Sequence, residues 1–161
     1  MMNWAHVHLL MNDVPILASA FSTLFFLIAL RAERRDTWAR AAMLLLGIAC
    51  ISAFAAYMTG DPASEVIEGL PHTSNRALSD HHVRGIFAVG AAMVAAVASI
   101  GALVITTRNG GSYSRRLVLV LFALSALLAI CLAWTGLAGG RISHPELQLP
   151  GDRQEGPAHH H

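Results

Sequence analysis

The sequence predicts an all-α protein, a four-transmembrane-helix up-down bundle, and three observations point there. Of 161 residues, 55% are hydrophobic and 13% charged, and the mean hydropathy of +0.52 is one that a soluble domain of this size rarely carries. A spanning helix takes about 20 mostly apolar residues, and four runs answer to that length: Leu9 to Leu30, broken only by Asp13; Ala41 to Gly60; Gly85 to Thr107; and Leu117 to Gly140. None of them shows the two-residue alternation of a membrane β-strand.

The first run follows Met1 to Val7, which contain no Lys or Arg, so it reads as a retained helix rather than a secretory leader. Pro15 lies inside it and leaves the Met11 carbonyl without its usual backbone partner. The second run closes at Thr59-Gly60, and DPASEVIE then predicts a short amphipathic surface helix over Pro62 to Leu70, with Asp61 as N-cap and Pro62 in the first position. The third run is expected to begin after His81-His82 and is filled with small residues, among them Gly85, Ala88, Ala92, Ala95 and Ser99. Such residues let helices approach closely in lipid, or leave a cleft for a flat cofactor. After the fourth run, RISHPEL is polar and is expected to fold back over the outer surface. No internal repeat stands out.

Residues 1–149 therefore form the membrane domain, and residues 150–161 a disordered tail, whose His159 to His161 read as the remnant of a purification tag. Cys50 and Cys131 both lie within apolar runs, which predicts buried, inert thiols.

The chain has no lysine, and its formal net charge of +1 gives no sign of a nucleic-acid partner. Arg31, Arg34, Arg35 and Arg40 connect the first two runs, and Arg108, Arg115 and Arg116 the last two; only Arg76, Arg84 and Arg141 stand near the opposite ends. Arginine-rich short loops stay cytoplasmic. The expected setting is a bacterial inner membrane with both termini and the long middle loop in the periplasm. Lipid is the first partner, and the reading leaves room for a homodimer.

His6, His8, His72, His81, His82 and His144 are scattered in sequence, yet the up-down path carries all of them to the outer ends of the helices. Four polar segments should converge there: HVHLLMND, GDPASEVIE, SDHH and RISHPE. They offer His8, Asp61, Glu65, His81 or His82, His144 and Glu146, with Asn12 and Asp13 to support them from behind. Imidazoles with carboxylates are the ligand set of zinc, copper, manganese or non-haem iron. There is no HExxH and no CxxC, so convergence alone carries this expectation. His81 shares a face with Gly85, Ala88 and Ala92 and is preferred to His82; His6 and His72 are read as surface residues. Asp13, a carboxylate at the membrane interface, is expected either near the site or paired with Arg84 or Arg141.

In these segments the chain resembles a broad group of small bacterial four-helix inner-membrane proteins of unknown function. Their first helix reads His-Leu-Leu-x-Asn-x-x-Pro, matched by His8, Leu9, Leu10, Asn12 and Pro15. Thr-Gly-Glu-Pro-Ala-x-Glu follows the second helix, matched by Thr59, Gly60, Pro62, Ala63 and Glu65, with Asp61 in place of Glu. A His opens the third helix, fitted by His81, and His82 stands where an acidic residue is expected. Gly-Gly-x-Ile-x-His-x-Glu follows the fourth, fitted by Gly139, Gly140, Ile142, His144 and Glu146. The resemblance implies the fold and a shared site, and no reaction.

Three functions are consistent with these residues. The leading one is a periplasm-facing metal site, redox active or, with an open position, able to activate water or oxygen. The second is a b-type cytochrome in which His8 and His81 hold haem b between the first and third helices; against it stand the expected rim position of the histidines and the nearby carboxylates, poor neighbours for haem propionates. The third is a non-catalytic membrane subunit that docks a periplasmic redox partner. Transport is disfavoured, because no charged residue lies deep in the membrane.

Overall fold

The computed structural model describes residues 4–67 and 74–144. It contains α1 (Trp4–Ala29), α2 (Arg35–Ile67), α3 (Asn75–Arg108) and α4 (Arg115–Ser143), and no strand among the described residues. At 1.5 Å per residue, even the 26 residues of α1 exceed the roughly 30 Å of a bilayer core. All four helices are long and apolar enough to cross a membrane, and the most apolar window of each is no more than 33% buried within the chain. The remaining surface, including Ile51, Val97 and Leu137, belongs against lipid acyl chains.

Each helix packs on its neighbour in sequence, and α1 closes the square against α4; α1 and α3, like α2 and α4, stand across a diagonal with little or no contact. The start of α1, the end of α2, the start of α3 and the end of α4 therefore share one end of the bundle.

The helices reach beyond their apolar runs, and two sequence expectations change as a result. Instead of stopping at Gly60 and restarting as a surface helix, α2 continues through Pro62 to Ile67. Ala63 is packed inside the bundle, so burial holds this last turn in line where proline chemistry alone signalled a new start. Likewise α3 begins two turns before His81-His82, at a Ser74 N-cap whose hydroxyl accepts from the Ala77 N–H at 3.2 Å. Both histidines thus lie within a helix instead of preceding it. RISHPEL begins as the end of α4, with His144 as its C-cap; residues 68–73 and 145–161, which include His72, Glu146 and the expected tail, fall outside the described residues.

Interior side chains change character along the bundle. Toward the end that carries the arginine-rich loops, Phe26, Leu46, Val118, Leu121 and Leu128 fill the centre completely. Toward the other end the inward residues of α2 and α3 are alanines: Ala53 and Ala56, Ala88 and Ala92. Within the filled half, hydroxyl groups also bind helix to helix: Ser22 donates to the Ala42 carbonyl at 2.9 Å, and Thr23 and Ser125 share a 3.0 Å hydrogen bond. In lipid such bonds and close packing take the place of a hydrophobic drive between helices.

The arginine-rich end is closed by its loops. Gly110 and Gly111 have φ of +70° and +82°, a backbone that glycine adopts without strain, and the Gly111 carbonyl accepts from Arg40 at 3.2 Å. Asp36 accepts the Tyr113 N–H at 2.8 Å. At the opposite end the alanine zone opens into a cavity among the described residues.

Candidate functional site

The cavity measures about 1010 Å³, and all four helices line it. Its depth follows from the packing: where Phe26 and Leu121 fill the other half, Ala53, Ala56, Ala88 and Gly136 leave room here. The helix overhangs wall its mouth, so residues expected at an open rim stand inside it.

His8 from α1 and His81 from α3 face each other across the diagonal, with ring centres 6.0 Å apart and ring planes crossed at 88°. Each ring is fixed by the helix that forms its own hairpin. His81 Nδ1 lies 3.0 Å from the Thr135 carbonyl on α4. A carbonyl only accepts, so Nδ1 carries the proton and Nε2 of the neutral ring keeps its lone pair. His8 Nδ1 lies 3.2 Å from the Thr59 hydroxyl on α2, and that hydroxyl already donates to the Ala56 carbonyl at 2.9 Å. Thr59 therefore accepts from His8, which leaves His8 Nε2 with its lone pair as well. Anchoring one ring nitrogen on the protein so that the other can bind a metal is the usual construction of imidazole ligands.

Glycine is required at one of the two seats. A Cβ on Gly139 would come within 3.0 Å of His81 Cε1, and one on Gly60 within 3.7 Å of His8 Cε1. The histidine-threonine pairs are 51 and 54 residues apart in sequence, and each threonine is followed by a glycine: Thr59-Gly60 and Thr135-Gly136. Each hairpin thus holds its histidine from a threonine on the second helix, through the side-chain hydroxyl of Thr59 in one and the main-chain carbonyl of Thr135 in the other. The sequence reading missed Thr59, Thr135 and Gly139 as site residues and saw no repeat; the recurring Thr-Gly about fifty residues after a histidine was the available signal.

Of the other expected residues, Asn12, Asp13, Asp61, His82 and His144 also line the cavity. His82 is exposed and meets Asp61 across α2 and α3 at 3.7 Å, with the Asp61 side chain 80% exposed. Glu65 is exposed and does not line the cavity. His144 and Asp13, both exposed, stand at the cavity wall with the half-buried Asn12. Arg84, expected as a partner of Asp13, instead binds Asp80 at 3.3 Å and lies 4.6 Å from the Trp134 ring centre. Among the described residues, no three of His, Cys, Asp and Glu gather closely enough to hold a metal ion.

A family model described as a predicted membrane protein, DUF2231, matches residues 7–145. The chain belongs to the DUF2231 family. The match takes in both histidine-threonine pairs and all four helices. No curated protein and no solved structure matches the chain.

Proposed function

We propose that this DUF2231 protein is a membrane-bound b-type haem protein, with His8 and His81 as the two axial ligands and the cavity facing the periplasm. The observation that carries the reading is the facing pair. A metal bonded to both Nε2 atoms at about 2 Å keeps two imidazole centres about 6 Å apart, and the rings of His8 and His81 stand at that separation.

A bare ion held by His8, His81, His82, His144, Asp61, Glu65 and Glu146 was the leading expectation, and three features favour haem over it. The cavity is at the upper end of the roughly 300–1,000 Å³ range of organic-ligand sites, far beyond what one ion occupies. A planar macrocycle set between diagonal ligands on α1 and α3 extends its edges toward α2 and α4, and those helices present Ala53, Ala56, Gly60 and Gly136 to the cavity. Finally, Glu65 does not line the cavity, and Asp61, at the cavity wall with its side chain 80% exposed, meets His82 at 3.7 Å rather than the facing pair. Four-helix bundles commonly build cofactor sites in this way, from side chains on facing helices.

With its iron held on both sides, such a cofactor carries electrons, and its outer position suits exchange with a periplasmic redox partner. Protein truncated before His159, mixed with hemin in detergent, is expected to bind about one haem per chain, with a sharp Soret band and split α and β bands on reduction. Elemental analysis of the same protein should find iron and no stoichiometric zinc, copper or manganese. Iron-free protein holding one of those metals, with no Soret band, would restore the bare-ion reading; metal-free and haem-free protein would leave the docking-subunit reading.

The seven loop arginines support an inner-membrane orientation with both termini outside. A cysteine introduced by Ser112→Cys is therefore expected to react with an impermeant maleimide only after the membrane is opened from the cytoplasmic side. Labelling in intact spheroplasts would reverse the orientation.

A further inference from the structure

We infer that the arginine-rich end of the bundle binds anionic phospholipid, with its main seat on the α3–α4 hairpin, where Arg108, Arg115 and Arg116 hold the phosphate and Ile105, Leu119 and Val120 lie against the acyl chains. This end is remote from the cavity, so the inference stands apart from the haem reading.

Seven arginines gather here, Arg31, Arg34, Arg35, Arg40, Arg108, Arg115 and Arg116, against only Glu33 and Asp36. Asp36 is occupied by the Tyr113 N–H, and Arg40 donates to the Gly111 carbonyl. Those two bonds tie the α1–α2 connection to the α3–α4 connection, so the arginines of both belong to one face. Arg31, Arg34, Arg108, Arg115 and Arg116 are all exposed, and none of them forms an ion pair among the described residues. Arg35 keeps its Nε buried with no acceptor among the described residues. The chain thus supplies this end with many donors and few oxygens of its own. Two helices begin here and two end here, so their dipoles largely offset and the side chains set the field.

The other end differs in charge. There Arg76, Arg84 and Arg141 stand among Asp13, Asp61, Glu65 and Asp80, and Arg84 is paired with Asp80 at 3.3 Å. The excess of positive charge therefore belongs to the arginine-rich end alone.

What flanks the charges selects the oxyanion. Val104 and Ile105 lie one turn before Arg108 on α3, and Leu119 and Val120 one turn after Arg115 and Arg116 on α4. Residues three and four apart share a helix face, and these four apolar side chains are exposed. In a membrane that surface meets acyl chains, which sets the adjoining arginines at headgroup depth. A soluble oxyanion would satisfy the charges and leave the apolar flank unused, whereas a phospholipid covers both. Every cation here is arginine, the chain having no lysine, and the guanidinium fork matches two phosphate oxygens at once.

The full chain reconstituted in phosphatidylcholine vesicles, with a trace of spin-labelled lipid, tests this. Electron paramagnetic resonance separates lipid restricted at the protein surface from bulk lipid. Spin-labelled phosphatidylglycerol should associate about fivefold more strongly than spin-labelled phosphatidylcholine, the scale of one arginine near an anionic surface, and high salt should weaken that preference. The Arg108→Gln, Arg115→Gln, Arg116→Gln triple variant should lose most of the preference with its helices intact by circular dichroism, and Arg141→Gln should keep it. Should the triple variant lose its helices, the three single substitutions replace it, each expected to lower the preference. Equal association of the two lipids with the parent protein overturns the inference, as does a preference that survives removal of the hairpin arginines. Displacement of phosphatidylglycerol by inorganic phosphate would assign the face to a free oxyanion and overturn the lipid assignment.

Discussion

His81→Ala is expected to abolish stoichiometric haem uptake while leaving the four helices folded, and His8→Ala to leave a haem that is bound but five-coordinate and high-spin. The asymmetry follows from how each ring is held. His81 is half-buried under Gly139 and tied to the Thr135 carbonyl, the closer-fitting of the two seats, so its removal takes away the more tightly seated ligand. Losing an outer partner of a metal ligand typically costs 10–100-fold in affinity, and losing the ligand itself should exceed that. Hemin titration followed at the Soret band gives both constants, and circular dichroism reports the helices. Equal loss in the two variants would mean that the imidazoles contribute alike; unchanged uptake in both would remove the pair from the site.

Gly139→Ala is expected to move stability and cofactor binding in opposite directions. Alanine in a helix is about 1 kcal/mol more favourable than glycine, so the apoprotein should unfold no more readily. The new methyl, however, would stand 3.0 Å from His81 Cε1 and 3.2 Å from Nδ1. The ring must turn away, which breaks its hydrogen bond to Thr135 and tilts Nε2 out of line. Haem affinity should fall roughly 10–100-fold, as for other losses of an imidazole's outer partner. Gly60→Ala is the control, since its methyl meets His8 at 3.7 Å and should leave uptake close to that of the parent. If Gly139→Ala binds haem as tightly as the parent, His81 is not seated as described.

The four spans were legible because lipid leaves little choice: a backbone crossing it must be helical and its side chains apolar. The gathering of His8, His81, His82 and His144 at one end was legible too, as a consequence of up-down topology. What the sequence did not disclose depends on tertiary packing. Pro62 carries the local chemistry of a helix start, yet α2 runs through it because Ala63 packs inside the bundle. Asp61 and Glu65 lie in the right segment, but the rotation of α2 about its axis exposes them to water and turns Thr59 toward His8. Helix rotation is set by contacts along the whole length of α1 and α2, which a motif of seven residues does not encode. The expectation that histidines at the rim would disfavour haem also depended on where the helices end. The overhangs of α2 and α3 past their apolar runs make that rim part of the cavity wall.

The crossed imidazole planes provide the most direct measurement. In ferric haem, axial rings at right angles keep the two iron orbitals that take part in π bonding close in energy, so the orbital moment is not quenched and the low-spin signal becomes strongly anisotropic. Parallel rings split those orbitals and give an ordinary rhombic signal. With His8 and His81 crossed at 88°, electron paramagnetic resonance of the haem-loaded ferric protein should show a single, highly anisotropic low-spin species. A wholly high-spin signal, or a rhombic low-spin signal of parallel ligands, would contradict coordination by this pair.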